Sequence, residues 1–505
     1  MTSLHETLQK GQIVENAFPW PRRIVDEGTW RNAAQYISDG QGAMLSLWSD
    51  ATSVHMAIAF DEPVKIYIIS LDCPERRFPS VARVHPPALR LERAIHDLYG
   101  MVAEDSPDER PWLDHGRFGL KYPCGTLRPA EAAGMSYDFL RAEGEPLHQI
   151  PVGPVHAGII EPGHFRFSAN GEIVVRLEER LGYVHKGIDR LMMDAPLDRA
   201  ARLAGRVSGD STIAYAWAFS AAVEAALTVE VPRRALYLRA LMAELERLAN
   251  HLGDMGAICN DASFALLHAH CAVLRERVLR AADVCFGHRL MMDRILPGGV
   301  THDLTAEGLN AIEVLLREIR ARFPKLVEVY DLTASLQDRT VGAGILSAEL
   351  ARQYGCGGFI GRASGRGFDA RLSCPYAPYP ELAFDVPTRS EGDVDARIWI
   401  RIKEIEQSLA LIEQILAKMP EGPLQTAIGT AASAPREGLA LIEGFRGDVF
   451  AWVRLAAADR IAHCHLRDPS WFQWPLLEAA IEGNIVADFP LCNKSFNCSY
   501  SGHDL

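Results

Sequence analysis

Two short histidine-rich stretches contain residue types that bind metal ions. His268 and His270 flank an alanine in a stretch of helical periodicity, where positions i and i+2 point in different directions. His463 and His465 lie in an expected strand and would share a face, but no carboxylate or third ligand stands at a suitable spacing. We therefore expect no metal ion to bind to this chain.

Charged residues are concentrated in the glycine-rich stretch GRASGRGFDAR, residues 361–371. Its glycines indicate that the backbone approaches a neighbouring element closely. Arg362, Asp369 and Arg371 are expected to form a buried ion network. Such a network would either relay protons or hold two helices together.

The ten cysteines are scattered along the chain, and no C-x-x-C pair occurs. This dispersion is typical of reduced, buried thiols in a cytoplasmic protein rather than of a disulfide framework. It also removes the usual ligands for an iron–sulfur cluster bound by this chain. The glycine-rich stretches lack the strand–turn–helix frame of a dinucleotide site, so a nicotinamide cofactor is not expected either.

Length and charge limit the class of protein further. The 505 residues suffice for several domains, and the formal net charge of -13 argues against binding to nucleic acid or to an anionic membrane. No apolar stretch is long enough for a transmembrane helix, and the N-terminus does not resemble an export signal. We expect any association with a membrane to depend on partner proteins.

Periodicity predicts a small α/β domain over residues 1–125. Runs rich in β-branched residues at 45–48, 54–60 and 64–71 are divided by turn residues and predict strands. Pro87 is placed to start a helix whose apolar residues recur at helical spacing, namely Leu91, Ala94, Ile95 and Leu98. Residues 126–150 have little periodicity and are expected to form a linker.

The remaining residues, 151–505, predict a mainly α-helical domain with small β-sheets at its start and near its end. A hairpin is expected at Asn170-Gly171, and a helix starting near Pro232 is expected to end at Gly253 or Gly256. Further helices are predicted at 304–330 and 394–418, and a second hairpin at 447–468. The fold class is therefore α+β.

Several blocks together resemble one lineage, the large subunit of energy-converting NiFe hydrogenases of the formate-hydrogenlyase type. The quinone-site subunit of respiratory complex I is its relative. The segment LERAIHDLYGM (91–101) is similar to the peripheral subunit of complex I, so the chain resembles a fusion of the two subunits. The other blocks are IPVGPVHAG (150–158), HKGIDRLM (185–192), VPRRALYLRALMAELERLANHL (231–252), ILPGGV (295–300), GRASGRGFDAR (361–371) and the C-terminal stretch.

Relatives with hydrogenase activity hold nickel and iron through four cysteine thiolates in two C-x-x-C pairs, because these metals need soft sulfur ligands. In this chain the first pair falls on Ser208 and Ser211, and the second on Ser499 and Gly502. A hydroxyl is a hard, protonated ligand and glycine offers none, so the resemblance implies that the NiFe centre is absent. The vacated pocket would be polar and lined by the three serines and His503. Cys498 lies one residue before the ligand position of Ser499 and is expected to be a buried thiol.

Relatives in complex I bind the quinone head through the second histidine of a G-P-x-H-P-S-x-H-G loop and a tyrosine of an A-Y-x-x-A-V-E helix. His156 matches the first histidine, but Ile160 stands at the second and Phe219 at the tyrosine. Neither side chain can donate a hydrogen bond or a proton, although both can wall an apolar cavity. Quinone binding stays open, because other polar residues are near in sequence, namely His164, Tyr183 and Tyr215.

His185 and Lys186 stand where relatives have H-R-G. The resemblance implies a charge that tunes the potential of a 4Fe-4S cluster on a partner subunit. The alternative is an ion pair with Asp189 at a helix start. Lysine also lacks the fork geometry of arginine.

The resemblance implies a peripheral subunit on the cytoplasmic face of the inner membrane, in an ion-translocating complex. The expected partners are a small 4Fe-4S subunit, a ferredoxin-like subunit and ion-pumping membrane subunits. This chain would bind no cofactor and would wall the terminal electron-acceptor cavity. Two alternatives stay open: a non-catalytic scaffold that couples the complex, and a quinone reductase site as in NADH-quinone oxidoreductase. The C-terminal block would fill the empty site, with Asn497 and Ser499 bonding to the backbone.

Overall fold

The computed structural model describes residues 6, 8–9, 11–61, 64–116, 119–125, 137–144, 146–155, 160–429, 436–456 and 460–505. Strands β1 to β8 are Gln12–Val14, Ala17–Phe18, Arg22–Ile24, Ala43–Ser49, Ser53–Asp61, Val64–Asp72, Arg77–Pro79 and Val102–Glu104. Strands β9 to β16 are Leu147–Val152, His164–Asn170, Ile173–Arg180, Ile295–Leu296, Gly299–Val300, Arg436–Gly444, Gly447–Leu455 and Ile461–Arg467.

Helices α1 to α8 are Glu27–Ser38, Leu89–Tyr99, Ile188–Met192, Leu197–Ala204, Thr212–Leu227, Arg233–Asp261, Ala265–Phe286 and Ala306–Leu332. Helices α9 to α16 are Ala334–Thr340, Ala348–Gln353, Gly358–Ala363, Ala370–Ser373, Val394–Lys418, Ser470–Ala480, Phe489–Phe496 and Tyr500–Asp504.

The N-terminal sheet has the strand order β1-β3-β6-β5-β4, and the three strands predicted from the sequence are its β4, β5 and β6. Helix α2 covers this sheet with the predicted apolar stripe, which packs against Met44 and Leu47 in one buried cluster. The helix ends at Gly100, whose φ of 71° is a left-handed conformation that glycine adopts without strain. The predicted helix and strands of this region are confirmed.

The second sheet, β11-β10-β9, opens the larger part of the chain. Its hairpin turns at Asn170-Gly171, as predicted, and Gly171 has a φ of 59°. Strand β9 begins at Leu147, within the stretch that the sequence predicted to be a linker. Residues 126–136 and 145 of that stretch lie outside the described part of the chain.

Helices α5, α6, α7 and α13 enclose the largest apolar core, and the leucine stripe of α6 is completely buried. The prediction that α6 ends at Gly253 or Gly256 was wrong, because the helix continues to Asp261. A Cβ at Gly256 would come within 2.8 Å of the Cβ of Cys271 on α7. These glycines therefore allow two helices to approach each other rather than ending one of them.

A third sheet, β16-β15-β14-β2, lies near the C-terminus but includes a strand from the N-terminus. Strand β2 pairs in parallel with β14 at Glu437 and Gly438. This sheet packs against the N-terminal sheet through a shared apolar layer that includes Trp48, Ile68, Leu439, Phe450 and Trp452. The α+β fold class with small sheets at both ends of a helical region is confirmed.

Within the described residues, no helix has both the length and the apolar character needed to cross a membrane.

Candidate functional site

Helix α5 follows the loop that carries Ser208 and Ser211, and its first turn is held by a buried carboxylate. Glu246 on α6 accepts hydrogen bonds from the backbone N–H groups of Ile213 and Ala214 at 2.8 and 3.2 Å. These are groups that a helix start leaves without an intrahelical partner. Burial raises the pKa of Glu246 to about 8.

The C-terminal block forms two short buried helices, α15 and α16. Ser499 lies between them and caps α16, because its hydroxyl accepts a hydrogen bond from the Gly502 N–H at 2.9 Å. Its own N–H donates to the Ser470 hydroxyl at 2.8 Å. This cap fixes the Ser499 side chain in the protein interior, where the residue is only 2% exposed.

The two stretches that correspond to the cysteine pairs of relatives meet at this point. The Ser208 and Ser499 hydroxyl oxygens lie 3.3 Å apart. The Ser208 hydroxyl also donates to Asp210 Oδ1 at 2.6 Å, and the Ser211 hydroxyl donates to the same oxygen at 3.3 Å. The three serines are therefore bonded to one another or to one carboxylate, and each is at most 4% exposed.

Arg446 holds this carboxylate through both of its oxygens. Its two terminal nitrogens donate to Asp210 at 2.9 and 2.7 Å, and one of them also reaches the Ser211 hydroxyl at 3.2 Å. Burial alone would raise the pKa of Asp210, but the Arg446 guanidinium outweighs it and lowers the pKa to about 2. The cluster is therefore a charged, paired unit at neutral pH.

Asn497 is bound differently from the prediction. Its side-chain amide donates to the Asp254 carboxylate at 2.9 Å rather than to the backbone, and its own carbonyl accepts from Arg446 at 2.6 Å. The expectation of a backbone bond for this side chain was wrong. A carboxylate is a stronger acceptor than a carbonyl, and the Asp254 carboxylate lies within hydrogen-bond distance of the Asn497 side chain.

The residues present do not suit a nickel–iron centre. Three ligand positions carry hydroxyls that are committed to hydrogen bonds, and the fourth is Gly502, where a Cβ would overlap the Asp468 carboxylate and lie 2.8 Å from Ser499 Oγ. Asp468 is itself fixed by the Tyr215 hydroxyl at 2.5 Å. Cys498 is buried as predicted, and burial raises the pKa of its thiol well above its usual range.

His503 is packed between two tryptophans. Its ring stacks on Trp471 with 4.1 Å between ring centroids, and its Nε2 accepts from Trp112 Nε1 at 3.1 Å. The next residue, Asp504, accepts hydrogen bonds from the N–H groups of Gly182 and Val184 at 2.9 and 3.0 Å. The last helix is thereby attached to the HKGID loop.

His185 and Lys186 also face the C-terminal block. The His185 Nδ1 bonds to the Asp504 carbonyl at 2.6 Å, and Lys186 Nζ donates to the Val207 carbonyl at 3.0 Å. Asp189 is buried, burial raises its pKa to about 7, and its Oδ1 has no hydrogen-bond partner among the described residues. The loop therefore connects the two stretches that contain the serines.

The described residues expected at a quinone site differ in their exposure. Phe219 lies within α5 in the largest apolar core and is completely buried. Ile160 is 44% exposed. His156 lies outside the described residues. Of the nearby substitutes, Tyr215 bonds to Asp468 and His164 to the Gly153 carbonyl at 3.0 Å.

Arg362, Asp369 and Arg371 lie in one buried ion network. Arg371 binds both oxygens of Asp369 at 3.0 and 2.7 Å, and Arg362 lies 3.5 Å from the same carboxylate. Arg362 also binds Glu404 and Glu443 at 2.8 and 2.9 Å. Burial raises the pKa of Glu443 to about 7. These contacts join the GRASGRGFDAR stretch to α13 and β14.

The two histidine pairs lie in different parts of the fold, and His268 lines a cavity together with Asp210 and Asp254. His268 and His270 are exposed on α7. His465 bonds to the Ser46 hydroxyl at 2.8 Å and stacks on Trp48, whereas His463 stacks on Trp452. His465 thus contacts the N-terminal sheet, whereas the stack of His463 on Trp452 lies within the third sheet.

Sequence reasoning missed Asp210, Arg446 and Asp504. Asp210 stands between the two serines in RVSGDS, so its spacing was a usable signal. Arg446 lies in the turn between β14 and β15, and nothing in its neighbourhood indicates that it crosses to Asp210. Contacts of this kind depend on the tertiary fold alone.

Two family models match the chain. The model for the 30 Kd subunit of respiratory-chain NADH dehydrogenase matches residues 24–128, and the model for the 49 Kd subunit matches residues 264–440. The chain therefore combines, on one polypeptide, sequences that resemble two complex I subunits.

Individual proteins are similar over most of the length. Hydrogenase-4 component G of Escherichia coli is 32% identical over 90% of this chain and 80% of its own length. Formate hydrogenlyase subunit 5 of the same organism is 30% identical over 90% of this chain and 82% of its own length. An NADH-quinone oxidoreductase subunit of Bacteroides thetaiotaomicron is 28% identical over 81% of this chain and 80% of its own length.

Among solved structures, a chain of the membrane-bound sulfane sulfur reductase, an archaeal respiratory membrane complex, superposes with a TM-score of 0.67. It is 26% identical, and the match covers 71% of this chain and 99% of that chain. The fold and sequence together define an oxidoreductase subunit of complex I type. The chain belongs to the family of fused large subunits that includes hydrogenase-4 component G and formate hydrogenlyase subunit 5.

Proposed function

We propose that this chain is the large peripheral subunit of a membrane-associated, ion-translocating oxidoreductase complex and that it holds no NiFe centre. The contact that carries the proposal is the 3.3 Å approach between the hydroxyls of Ser208 and Ser499. These positions belong to different cysteine pairs in relatives that bind the metals. Both positions carry hydroxyls that hydrogen-bond to each other or to Asp210, and a hydroxyl is a hard, protonated ligand in place of the soft thiolate that nickel and iron need.

Electrostatics support the same proposal. Asp210 and Arg446 neutralise each other, and the two neighbouring serine hydroxyls are satisfied by the same carboxylate oxygen. A nickel–iron centre needs thiolates, which are soft and negatively charged. The cluster of Ser208, Asp210, Ser211, Arg446 and Ser499 offers hard oxygen atoms in a charge-balanced set, so we expect it to be structural.

The proposed partners follow from the relatives. The matched hydrogenase-4, formate hydrogenlyase and NADH-quinone oxidoreductase chains are named as components or subunits, and the sulfane sulfur reductase is described as a membrane complex. For this chain we propose a small 4Fe-4S subunit, a ferredoxin-like subunit and ion-pumping membrane subunits. The complex would lie on the cytoplasmic face of the inner membrane.

Within such a complex, the packed site favours a coupling role. The C-terminal helices are tied to the loop at 182–187 through Asp504 and to the RVSGDS loop through Ser499. Asn497 bonds to Arg446, which in turn binds Asp210 of that loop. A unit linked in this way can transmit a displacement between partner subunits without chemistry of its own. In this role the chain is the structural counterpart of a hydrogenase large subunit.

A second function, reduction of a small acceptor at the altered site, is favoured by one observation. A polar cavity of about 240 Å³ adjoins the serine cluster and is lined by Asp210, Asp254, Lys494 and Asn497, among other residues. Its mixed charges suit a small polar molecule rather than the head of a quinone. Quinone reduction as in NADH-quinone oxidoreductase has weaker support, because Phe219 is completely buried in the largest apolar core and Ile160 is 44% exposed.

Metal analysis of the purified complex tests the proposal. Nickel should be far below one equivalent per chain, while iron should be present through the partner cluster. Assays with hydrogen, formate, NADH and quinones would then separate the two functions. Turnover that is lost when Asp254 is changed to Asn would support acceptor reduction. Stoichiometric nickel bound at the serine positions would overturn the proposal.

A further inference from the structure

The N-terminal segment crosses from one sheet to the other and leaves an open groove beside it. Strand β2 pairs with β14 at Glu437 and Gly438, and β3 pairs with β6 at Ile68, Ile69 and Ser70. Pro19, Trp20 and Pro21 connect the two strands. Beyond Gly438, the outer edge of β14 has no neighbouring strand among the described residues. Before Ile68, the outer edge of β6 has none either.

A cavity of about 690 Å³ lies between these two edges. Residues 64–67 of β6 and residues 439–442 of β14 line it, with Ala221 and Ala225 of α5 on another wall. This groove, defined by the two edge segments and the two alanines, is larger than the cavity beside the serine cluster. The two cavities share no lining residue, so the groove is a separate site.

The backbone of β14 points into the groove at Leu441. In an antiparallel pair, alternate residues direct their N–H and C=O groups to opposite neighbours. The Glu437 N–H is directed outward to the Asn16 carbonyl and the Glu443 N–H outward to the Tyr376 hydroxyl, at 2.8 and 3.1 Å. Leu441 lies an even number of positions from both residues, so its N–H and C=O groups are directed outward as well.

No partner for the outward N–H and C=O of Leu441 occurs within the described residues, although the residue is only 4% exposed. The same reasoning applies to β6. The Ser70 carbonyl is directed outward, because it accepts from the Val25 N–H at 2.8 Å. Ile66 lies four positions before Ser70, so its backbone groups are directed outward too. Ile66 is 9% exposed. Buried backbone groups without partners are costly, so these edges are suited to pairing with a further strand.

We propose that an extended segment of a partner subunit binds in this groove by adding a strand to β14 at Leu441. Addition of a strand supplies a row of alternating donors and acceptors, which a lipid chain or a small apolar molecule does not. Lys65 is the one charged residue among the described residues that line the groove. The segment should therefore alternate apolar residues and carry an acidic group near Lys65. The inference rests on the proposed membership of a multi-subunit complex.

Cross-linking in the intact complex tests this proposal. A photoreactive p-benzoylphenylalanine placed at Trp20, which lines the groove, should cross-link to one contiguous segment of a partner subunit. The same residue placed at Leu332, which is 74% exposed on α8, should not cross-link to that segment. Cross-links only to lipid, or to residues of this same chain, would overturn the proposal.

Amide hydrogen exchange measures the strand pairing itself in the unaltered protein. The Leu441 N–H should exchange at least tenfold more slowly in the complex than in the chain alone, because it gains an acceptor. Ala225→Trp should fill the groove and abolish both the slowing and the Trp20 cross-link, whereas Ala269→Trp on the exposed face of α7 should change neither. Equal exchange in complex and chain would overturn the proposal. The metal content is independent of this result, so failure here leaves the proposed function intact.

Discussion

The hydroxyl oxygens of Ser208 and Ser499 lie 3.3 Å apart although 291 positions separate the two residues in the chain. Each belongs to a stretch that carries metal-binding cysteines in hydrogenase relatives. We propose that the fold of the family has been kept while the chemistry at its centre has changed from metal binding to hydrogen bonding. The consequences of this change can be tested at individual positions.

Gly502 stands at the fourth ligand position, and its replacement by any residue with a Cβ should be destabilising. A Cβ there would overlap the Asp468 carboxylate, which the Tyr215 hydroxyl holds in place. Gly502→Ala should lower the free energy of unfolding by about 1 to 3 kcal/mol, the usual cost of overpacking. Gly209→Ala is the matched control, because a Cβ at Gly209 would meet no atom within 4 Å. Equal stability of both variants in denaturant unfolding would contradict the packing described here.

The pair of Asp210 and Arg446 should make stability depend on pH at acid values. The pKa of Asp210 is lowered to about 2 from its ordinary value of 3.8, so its contribution is fully present above about pH 4 and is lost as the pH falls towards 2. Asp210→Asn should lose stability at neutral pH and should no longer show this part of the acid dependence.

The measurement is the midpoint of denaturant unfolding between pH 2 and pH 7. Asp331→Asn, at an exposed position of α8, is the control for removal of a carboxylate. The difference between wild type and Asp210→Asn should shrink below pH 4, because the wild-type carboxylate is then protonated as well. A difference that stays constant across this range would show that Asp210 does not carry the charge assigned to it.

Glu246 should have the opposite pH dependence. Burial raises the pKa of Glu246 to about 8 from its ordinary value of 4.5. Between these two pH values the folded chain holds a proton on Glu246 that the unfolded chain has lost. Its contribution is therefore fully present below about pH 4.5 and declines as the pH rises to 8. Glu246→Gln has no proton to lose, but it keeps only one of the two oxygens that accept separately from the N–H groups of Ile213 and Ala214.

The Glu246→Gln variant should lose one of these hydrogen bonds at every pH, but its stability relative to the wild type should rise from pH 5 to pH 8, because only the wild type loses a proton over this range. Thermal unfolding at a series of pH values is the appropriate measurement. Glu313→Gln, at an exposed position of α8, should show no such trend. A relative stability of Glu246→Gln that falls between pH 5 and pH 8 would mean that the ionised carboxylate is needed to cap α5.

The sequence predicted the positions of helices and strands well, but it predicted the contacts between them poorly. Alternation of apolar residues predicted β4, β5 and β6, and helical periodicity predicted α2, α8 and α13 close to their observed bounds. These signals are local, so they survive without knowledge of the fold. The end of α6 was misjudged because glycine also serves close packing of helices, and the sequence alone does not separate the two uses.

Residues of the candidate site could be predicted only where a motif allowed this sequence to be aligned with its relatives, or where charged residues are dense. Ser208, Ser211 and Ser499 were found through the cysteine pattern of relatives, and Arg362, Asp369 and Arg371 through their density in one stretch. Arg446 and the pairing of Asn497 with Asp254 depend on a turn and two helices that meet only in the folded chain. The open strand edges of the groove were likewise invisible, because they result from where β2 leaves β14.

Phe219 allows the quinone alternative to be tested directly. It stands where quinone-binding relatives have a tyrosine, but it is completely buried in the apolar core of α5. Phe219→Tyr would place a hydroxyl there, and burial of a hydroxyl without a partner costs about 1 to 3 kcal/mol in proteins. We therefore expect lower stability and no gain in quinone reduction by the purified complex. Phe18→Tyr, at a position that is 38% exposed, should leave both unchanged. A Phe219→Tyr complex that is as stable as the wild type and reduces quinone faster would show that this position faces a quinone cavity after all.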